Sequence, residues 1–170
     1  MQRVLVIGPC SAGKSTLAAA LATRLGLPLF HIDQLNWKPG WVEGSKAELR
    51  DKLRAIAITD RWLIDGNYGG TLDERLPRAE TIVYLDYPIW LCLWRLGRRI
   101  VSHRGRSRAD MPEGCPERFD LSFFTYLLTW NLGPRPRTEA KLKGHEHKII
   151  RLANPKALAA WLRSVEAVTP

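Results

Sequence analysis

The stretch "VLVIGPCSAGKSTLAAAL", residues 4–21, sets an apolar run, two glycines, a lysine and three hydroxyls ahead of an alanine-rich tail. Val4 to Ile7 is a β-branched and leucine run suited to a buried strand, and Ser15 to Leu25 holds strong helix formers with no breaker. Between them Gly8, Pro9, Cys10, Ser11, Ala12, Gly13, Lys14 and Ser15 fill every fixed position of the pattern G-x-x-x-x-G-K-S/T. Glycines at both ends let consecutive backbone N–H groups converge on phosphate oxygens, and the following helix adds its positive N-terminal end. Lys14 then reaches the β- and γ-phosphates as a compact charge, and the Ser15 hydroxyl can ligate the Mg²⁺ that bridges them. Thr16 follows inside the first turn. The expected ligand is a nucleoside triphosphate, with ATP and Mg²⁺ as the cofactors.

Length and composition narrow the setting. The 170 residues suit one domain spanning 1–170, with an ordinary balance of 45% hydrophobic and 25% charged residues. No apolar run reaches the roughly 20 residues of a membrane helix. Met1 leads straight into the first strand without the pattern of a signal peptide, so a cytoplasmic location is expected. Cys10, Cys92 and Cys115 are odd in number and lack metal-type spacing, which reads as reduced thiols. The formal charge of +9 calls for polyanionic company. Arginine is concentrated in "RLGRRIVSHRGRSR", residues 95–108, with Arg118, Arg135 and Arg137 downstream. Guanidinium groups suit a triphosphate as well as a duplex backbone, so charge alone leaves both open.

Along the rest of the chain, "LPLFHID" (27–33), "RWLIDG" (61–66), "TIVYLDYP" (81–88) and "HKIIRL" (147–152) read as further strands. A helix over 44–56 opens at Ser45 with Glu48 three residues on, a capping box, and a terminal helix starts near Pro155. "FDLSFFTYLLTWNL", 119–132, reads as a buried helix, and the Arg-, Gly- and Pro-rich run from about 105 to 116 as a mobile loop. Alternating strands and helices predict a parallel sheet covered on both faces, whose ligands gather at the carboxyl ends of the strands.

Several residues fall at that edge. Asp33 closes the second strand; its carboxylate can accept from an acceptor hydroxyl or hold a Mg²⁺-bound water, or simply cap a turn. Asp65 ends an apolar strand in the context of a Mg²⁺-directed aspartate, or else forms the turn before Gly66. Asn67 and Tyr68 would then face the acceptor, with Trp37 and Trp41 as flat apolar surfaces nearby. Asp86 reads as mainly structural. Arg95 and Arg99, four apart on a helix from Pro88 to Val101, share a face and a candidate anion, and Arg104, Arg106 and Arg108 follow on the loop.

These residues resemble the nucleoside monophosphate kinase group. More closely, "HIDQLNWKPGW", "DGNYGGTLDERL", "YLDYPIWLCLWR" and "RADMPEGCPERFD" resemble the bacterial topology modulation (FlaR-related) proteins, described as adenylate-kinase-like, over nearly the whole chain. The resemblance implies a three-layer α/β/α P-loop kinase fold, a five-stranded parallel sheet of order 2-3-1-4-5, and an Arg-rich lid at about 104–118. It implies that Arg95 stacks on the donor adenine and that Arg99 contacts phosphate. It also implies that Ala153, Asn154 and Pro155 frame the adenine. The D-G pair of Asp65 and Gly66 matches, but Asn67, Tyr68 and Gly69 stand where adenylate kinases carry Phe, Pro and Arg. Arg75 is the one candidate substitute for that missing arginine.

The resulting expectation is an ATP-dependent kinase of class EC 2.7 that passes the γ-phosphoryl to a nucleotide or another small acceptor. Lys14, Asp33, Arg99, Arg106 and Arg108 are its catalytic set. Ser15 and Asp65 hold the metal. The alternatives are a nucleic-acid-binding modulator of DNA topology, though no DNA-recognition motif is visible, and an ATP-dependent switch with little turnover. A monomer or a homodimer is expected, with no membrane contact.

Overall fold

The computed structural model describes residues 1–102, 105, 110–117 and 119–166. In chain order the first half runs β1 (Arg3–Ile7), α1 (Lys14–Leu25), β2 (Leu29–His31), α2 (Ile32–Asn36), β3 (Trp37–Lys38), β4 (Val42–Glu43), α3 (Lys46–Ala57) and β5 (Trp62–Asp65). A 3₁₀ turn (Gly69–Glu74) leads to β6 (Thr81–Leu85), α4 (Ile89–Ser102), α5 (Leu121–Leu128), α6 (Pro134–Leu142), β7 (Ile149–Leu152) and α7 (Pro155–Glu166).

β2, β5, β1, β6 and β7 form one parallel sheet in that spatial order. Numbered within this sheet alone, the order is 2-3-1-4-5, the one the family resemblance implies. Register puts Val4 beside Leu63 on one side and Thr81 on the other. Because side chains alternate along a strand, β1 feeds two separate cores. Val4 and Val6 meet Leu17 and Leu21 of α1, Cys92 and Leu96 of α4, and Leu127 of α5. Leu5 and Ile7 meet Leu49 and Leu53 of α3, Leu72, and Leu142 of α6. The result is three layers. Each fully buried leucine or isoleucine contributes about 1.5–3 kcal/mol relative to exposure. α3 forms where its pattern demands it. Ser45 Oγ accepts the Glu48 N–H at 3.1 Å, and Leu49, Leu53 and Ala57 line one buried face.

The structure departs from the sequence reading in four places. β2 ends at His31, so Asp33 stands in the first turn of α2 and not at a strand end. Residues 37–43 form the small antiparallel β3–β4 ribbon, and Pro134 opens α6; neither element has a periodic signature long enough to read. The 119–132 segment is not a buried helix. α5 stops at Leu128, buries Leu127, and leaves Phe119, Leu121, Leu128 and Leu132 exposed. Apolar composition signals burial only when a helix is covered on all sides, and α5 is covered on one.

Candidate nucleotide and acceptor site

The loop from Gly8 to Ser15 leaves the carboxyl end of β1 and enters α1. Gly8 has φ 144°, and a Cβ there would stand 2.4 Å from the Leu85 carbonyl oxygen of β6, so both conformation and space require glycine. Gly13 is the α1 N-cap in the left-handed region (φ 98°). It brings no capping side chain, and no acidic residue stands in the first turn. The first N–H groups of α1 therefore face the loop with their partial positive charge unanswered by a side chain, the arrangement that attracts a phosphate.

Three side chains hold this loop from outside or across it. Lys14 Nζ donates to the Pro9 carbonyl at 3.0 Å. Arg95 Nη1 donates to the Ala12 carbonyl at 2.6 Å, and its guanidinium lies 5.3 Å from the Tyr87 ring centroid. Asn67 clasps Gly8 twice: Gly8 N–H donates to Oδ1 at 2.9 Å, and Nδ2 donates to the Gly8 carbonyl at 2.5 Å. Arg99, on the next turn of α4, donates to Glu117 at 3.0–3.1 Å.

A cleft of about 430 Å³ opens over the loop. It is lined by Cys10, Ser11, Gly13, Lys14, Ser15 and Thr16 from the loop and the start of α1, by Arg95 and Arg99 of α4, and by Asp33, Asp65 and Trp41. Asp110, Met111, Glu117, Asp120 and Phe123 close the far side. Asp65 is almost fully buried and receives His31 Nδ1 on Oδ2 at 2.9 Å, while its Oδ1 has no hydrogen-bond partner among the described residues. Burial alone would lower the His31 pKa. The hydrogen bond and charge of Asp65, with Asp110 and Asp33 nearby, outweigh it and raise the value above 6.5.

Asp33 Oδ1 accepts the Tyr68 hydroxyl at 2.8 Å, and Asn36 of α2 reaches both Tyr68 Oη and Glu43 at 3.4 Å. Burial first, and then the adjacent Asp33 carboxylate, drive the Tyr68 pKa far above its ordinary value, so the phenol stays a proton donor. Tyr68 itself takes a left-handed backbone, φ 35°, which is strained for a bulky residue. The strain is held by Arg75. Its guanidinium is completely buried and donates to the carbonyls of Gly66 (3.0 Å), Asn67 (2.7 Å), Tyr68 (3.4 Å) and Thr71 (3.5 Å). Burial lowers its pKa to about 9 against the pull of Asp65, a measure of how unfavourable this charge is away from water. Arg75 is thus committed to the loop's own carbonyls and does not substitute for a phosphate-binding arginine.

The β3–β4 ribbon forms the rim. Trp41 lines the cleft with Trp37 packed edge-on behind it, centroids 5.5 Å apart. Trp41 Nε1 donates to the Pro116 carbonyl at 3.1 Å, Gly40 N–H to Gly114 at 2.9 Å, and the Cys115 thiol to Lys38 at 3.3 Å. The ribbon and residues 114–116 are one unit.

The other sequence-derived candidates fall elsewhere. Asn67 is spent on Gly8 instead of facing an acceptor. Asn154 and Pro155 are exposed at the end of β7, where Asn154 Oδ1 accepts the Ala157 N–H of α7 at 2.8 Å. Asp86 receives Arg135 at 2.7 Å and Arg151 at 2.8 Å, and Arg151 also pairs with Glu139. Arg135 therefore serves the fold. Arg104, Arg106, Arg108 and Arg118 lie outside the described residues. The Tyr68–Asp33 and Asn67–Gly8 pairings carry no spacing signal, since their partners are 35 and 59 residues apart.

A glycine-framed loop between the central strand and its helix, in a parallel sheet of order 2-3-1-4-5, defines the α/β P-loop kinase-like class of fold. Comparisons with known proteins agree with this class. The family model described as "ATPase family associated with various cellular activities (AAA)" matches residues 4–64. Among solved structures, the chain is similar to a shikimate kinase from Acinetobacter baumannii in complex with shikimate. That match has TM-score 0.59 and 16% identity, and covers 99% of this chain and 93% of that one. It is also similar to shikimate kinase from Aquifex aeolicus, at TM-score 0.56 and 19% identity, with 96% of each chain covered. A search of curated proteins matches none of them. Among the described residues, no helix is long and apolar enough to cross a membrane.

Proposed function

We propose that this protein is a cytoplasmic ATP-dependent phosphotransferase acting on a small hydroxyl- or phosphate-bearing acceptor. The observation that carries this reading is the cleft itself: the phosphate loop and Asp33, whose carboxylate accepts the Tyr68 hydroxyl, line a single space. On this reading the N–H groups of the loop and Lys14 hold the β- and γ-phosphates of ATP. The acceptor oxygen attacks the γ-phosphorus as the bond to the β–γ bridging oxygen breaks, releasing ADP. The acceptor proton passes to Asp33, which Tyr68 holds in place.

The unpartnered, buried Asp65 Oδ1 and the Ser15 hydroxyl on the same cleft suit a hard oxygen-seeking cation. Ser15 and Asp65 would hold Mg²⁺, which when bound supplies charge neutralisation at the phosphates. Arg95 and Arg99, with Arg106 and Arg108 from the arginine-rich run, are assigned to the donor nucleotide and the transferred phosphoryl. The finer kinship, with the topology modulation proteins, rests on the four quoted segments.

The structure gives the duplex-binding alternative little support. Arg3, Arg54, Arg135 and Arg151 are each paired with a carboxylate, so the excess charge is partly spent inside the fold.

The test is ADP release from ATP and Mg²⁺ against panels of nucleosides, nucleotides and sugars, with Lys14→Ala as control. Turnover is expected with one acceptor class, and Lys14→Ala should lose both turnover and the thermal stabilisation by Mg-ATP. An unchanged ATP-induced shift in the variant would defeat the reading.

A further inference from the structure

The outer faces of α4 and α5 carry apolar surface that the cleft does not use. Of the eleven exposed large hydrophobic residues among the described ones, eight lie on these two helices or directly beside them. On α4 the exposed apolar positions are Trp90 (70% exposed), Trp94 and Val101 (81%), with exposed Gly97 between them. At 3.6 residues per turn, positions 90, 94, 97 and 101 fall within an arc of about 60°. Arg95 and Arg99 leave the helix on its other side, toward the cleft. α5 packs on α4 and repeats the pattern with Leu121, Leu128 and the following Leu132 (84%).

We propose that this face is the interface of a two-fold homodimer. Size supports a protein partner. With about 150–250 Å² for a buried aromatic side chain, these exposures amount to roughly 700 Å², above the usual patch on a monomer and close to the roughly 800 Å² per partner of a standard interface.

Charge selects the kind of partner. Residues 121–133 contain no charged residue, and the one cation on the α4 stripe, Arg98, is folded 4.9 Å over the Trp94 ring. A nucleic-acid or anionic-lipid surface is held by cations, and among the described residues the apolar centre of this face offers none but Arg98. Shape selects a second copy. The α4 stripe is bulky at its N-terminal end and small toward Gly97, so it complements itself when run antiparallel. Each Trp94 then fills the notch at the other copy's Gly97, the reciprocal contact a two-fold axis requires.

The experiment is sedimentation velocity with light scattering on the full chain over a wide concentration range. Alongside it run Gly97→Gln and Trp94→Glu. A Cβ at Gly97 meets no atom within 4 Å and the residue is helical, so a glutamine fits the single chain and clashes only across the interface. The expected result is twice the chain mass for the natural sequence and the single chain mass for both variants. Circular dichroism and the unfolding midpoint of diluted samples should be preserved, which separates lost association from lost folding. The natural sequence remaining at single-chain mass throughout overturns the proposal. So does a dimer that survives both substitutions, and so does association only with anionic vesicles or duplex DNA added to the sample.

Discussion

The two walls of the cleft are built in opposite ways. On the proposed function, the donor side is one contiguous loop of eight residues whose phosphate-directed groups are mostly backbone N–H groups, held by Asn67 and Arg95 at its margins. The acceptor side is assembled from α2, the turn after β5, the β3–β4 ribbon and residues 110–117, joined by contacts such as Trp41 to Pro116, 75 residues apart. A backbone-made site keeps its chemistry through many side-chain changes. A site made of side chains from distant segments can be retuned one residue at a time, which is how one scaffold comes to serve different acceptors.

This contrast is sharpest at Asp33. If it belongs to the acceptor side alone, Asp33→Asn should lower turnover by about 10²-fold or more while leaving ATP affinity nearly unchanged. Isothermal titration beside steady-state kinetics checks this, and a parallel fall in ATP affinity would erase the division between the walls.

Arg75→Met comes next, with an expected loss of about 3 kcal/mol in urea unfolding, because buried carbonyls lose their donor and the left-handed Tyr68 loses its support. Lysine should restore little, since three donors on a point charge cannot span the carbonyls that a guanidinium reaches. Unlike Asp33→Asn, this change should weaken both walls.

Replacing Arg106 and Arg108 together with alanine should cost turnover about tenfold, with ATP affinity changing less. In duplex-binding assays the same variant should leave the salt slope unchanged; a slope flattened by about two counterions with turnover intact would favour the DNA reading.

The smallest effect is expected from Trp41→Phe, which keeps the ring and removes one hydrogen bond to Pro116. About 1 kcal/mol or less of stability should be lost. A rise in the acceptor KM without a change for ATP would tie the ribbon to the acceptor wall.

Legibility in the sequence follows the same division. The phosphate loop is readable because its chemistry is local: glycine spacing, strand before and helix after. The covered parallel sheet follows from where apolar runs alternate with helical ones, whereas its strand order comes only from the resemblance. Asp33 could be located at the right edge but not on the right element, because a three-residue β2 and a five-residue α2 leave no periodicity to separate them. Arg75 reads as a candidate phosphate-binding arginine, and only its burial and hydrogen bonds reveal its commitment to backbone carbonyls. The one-sided exposure of α5 was unreadable for a related reason. Composition counts apolar residues without saying how many neighbours arrive to cover them.

Asn67 and Tyr68 are adjacent in the chain, yet one is bonded to Gly8 of the donor loop and the other to Asp33 of the acceptor wall. A displacement of Gly8 on phosphate binding would be transmitted through a single peptide unit to the carboxylate opposite. Thermodynamic reciprocity then governs the pair of ligands: whatever factor ATP contributes to acceptor affinity, the acceptor returns to ATP affinity in equal measure. Cutting the connection with Asn67→Ala should drive that factor toward one while each ligand still binds alone. The amide is in this sense a coupling element, and its worth is measured only when both sites are filled.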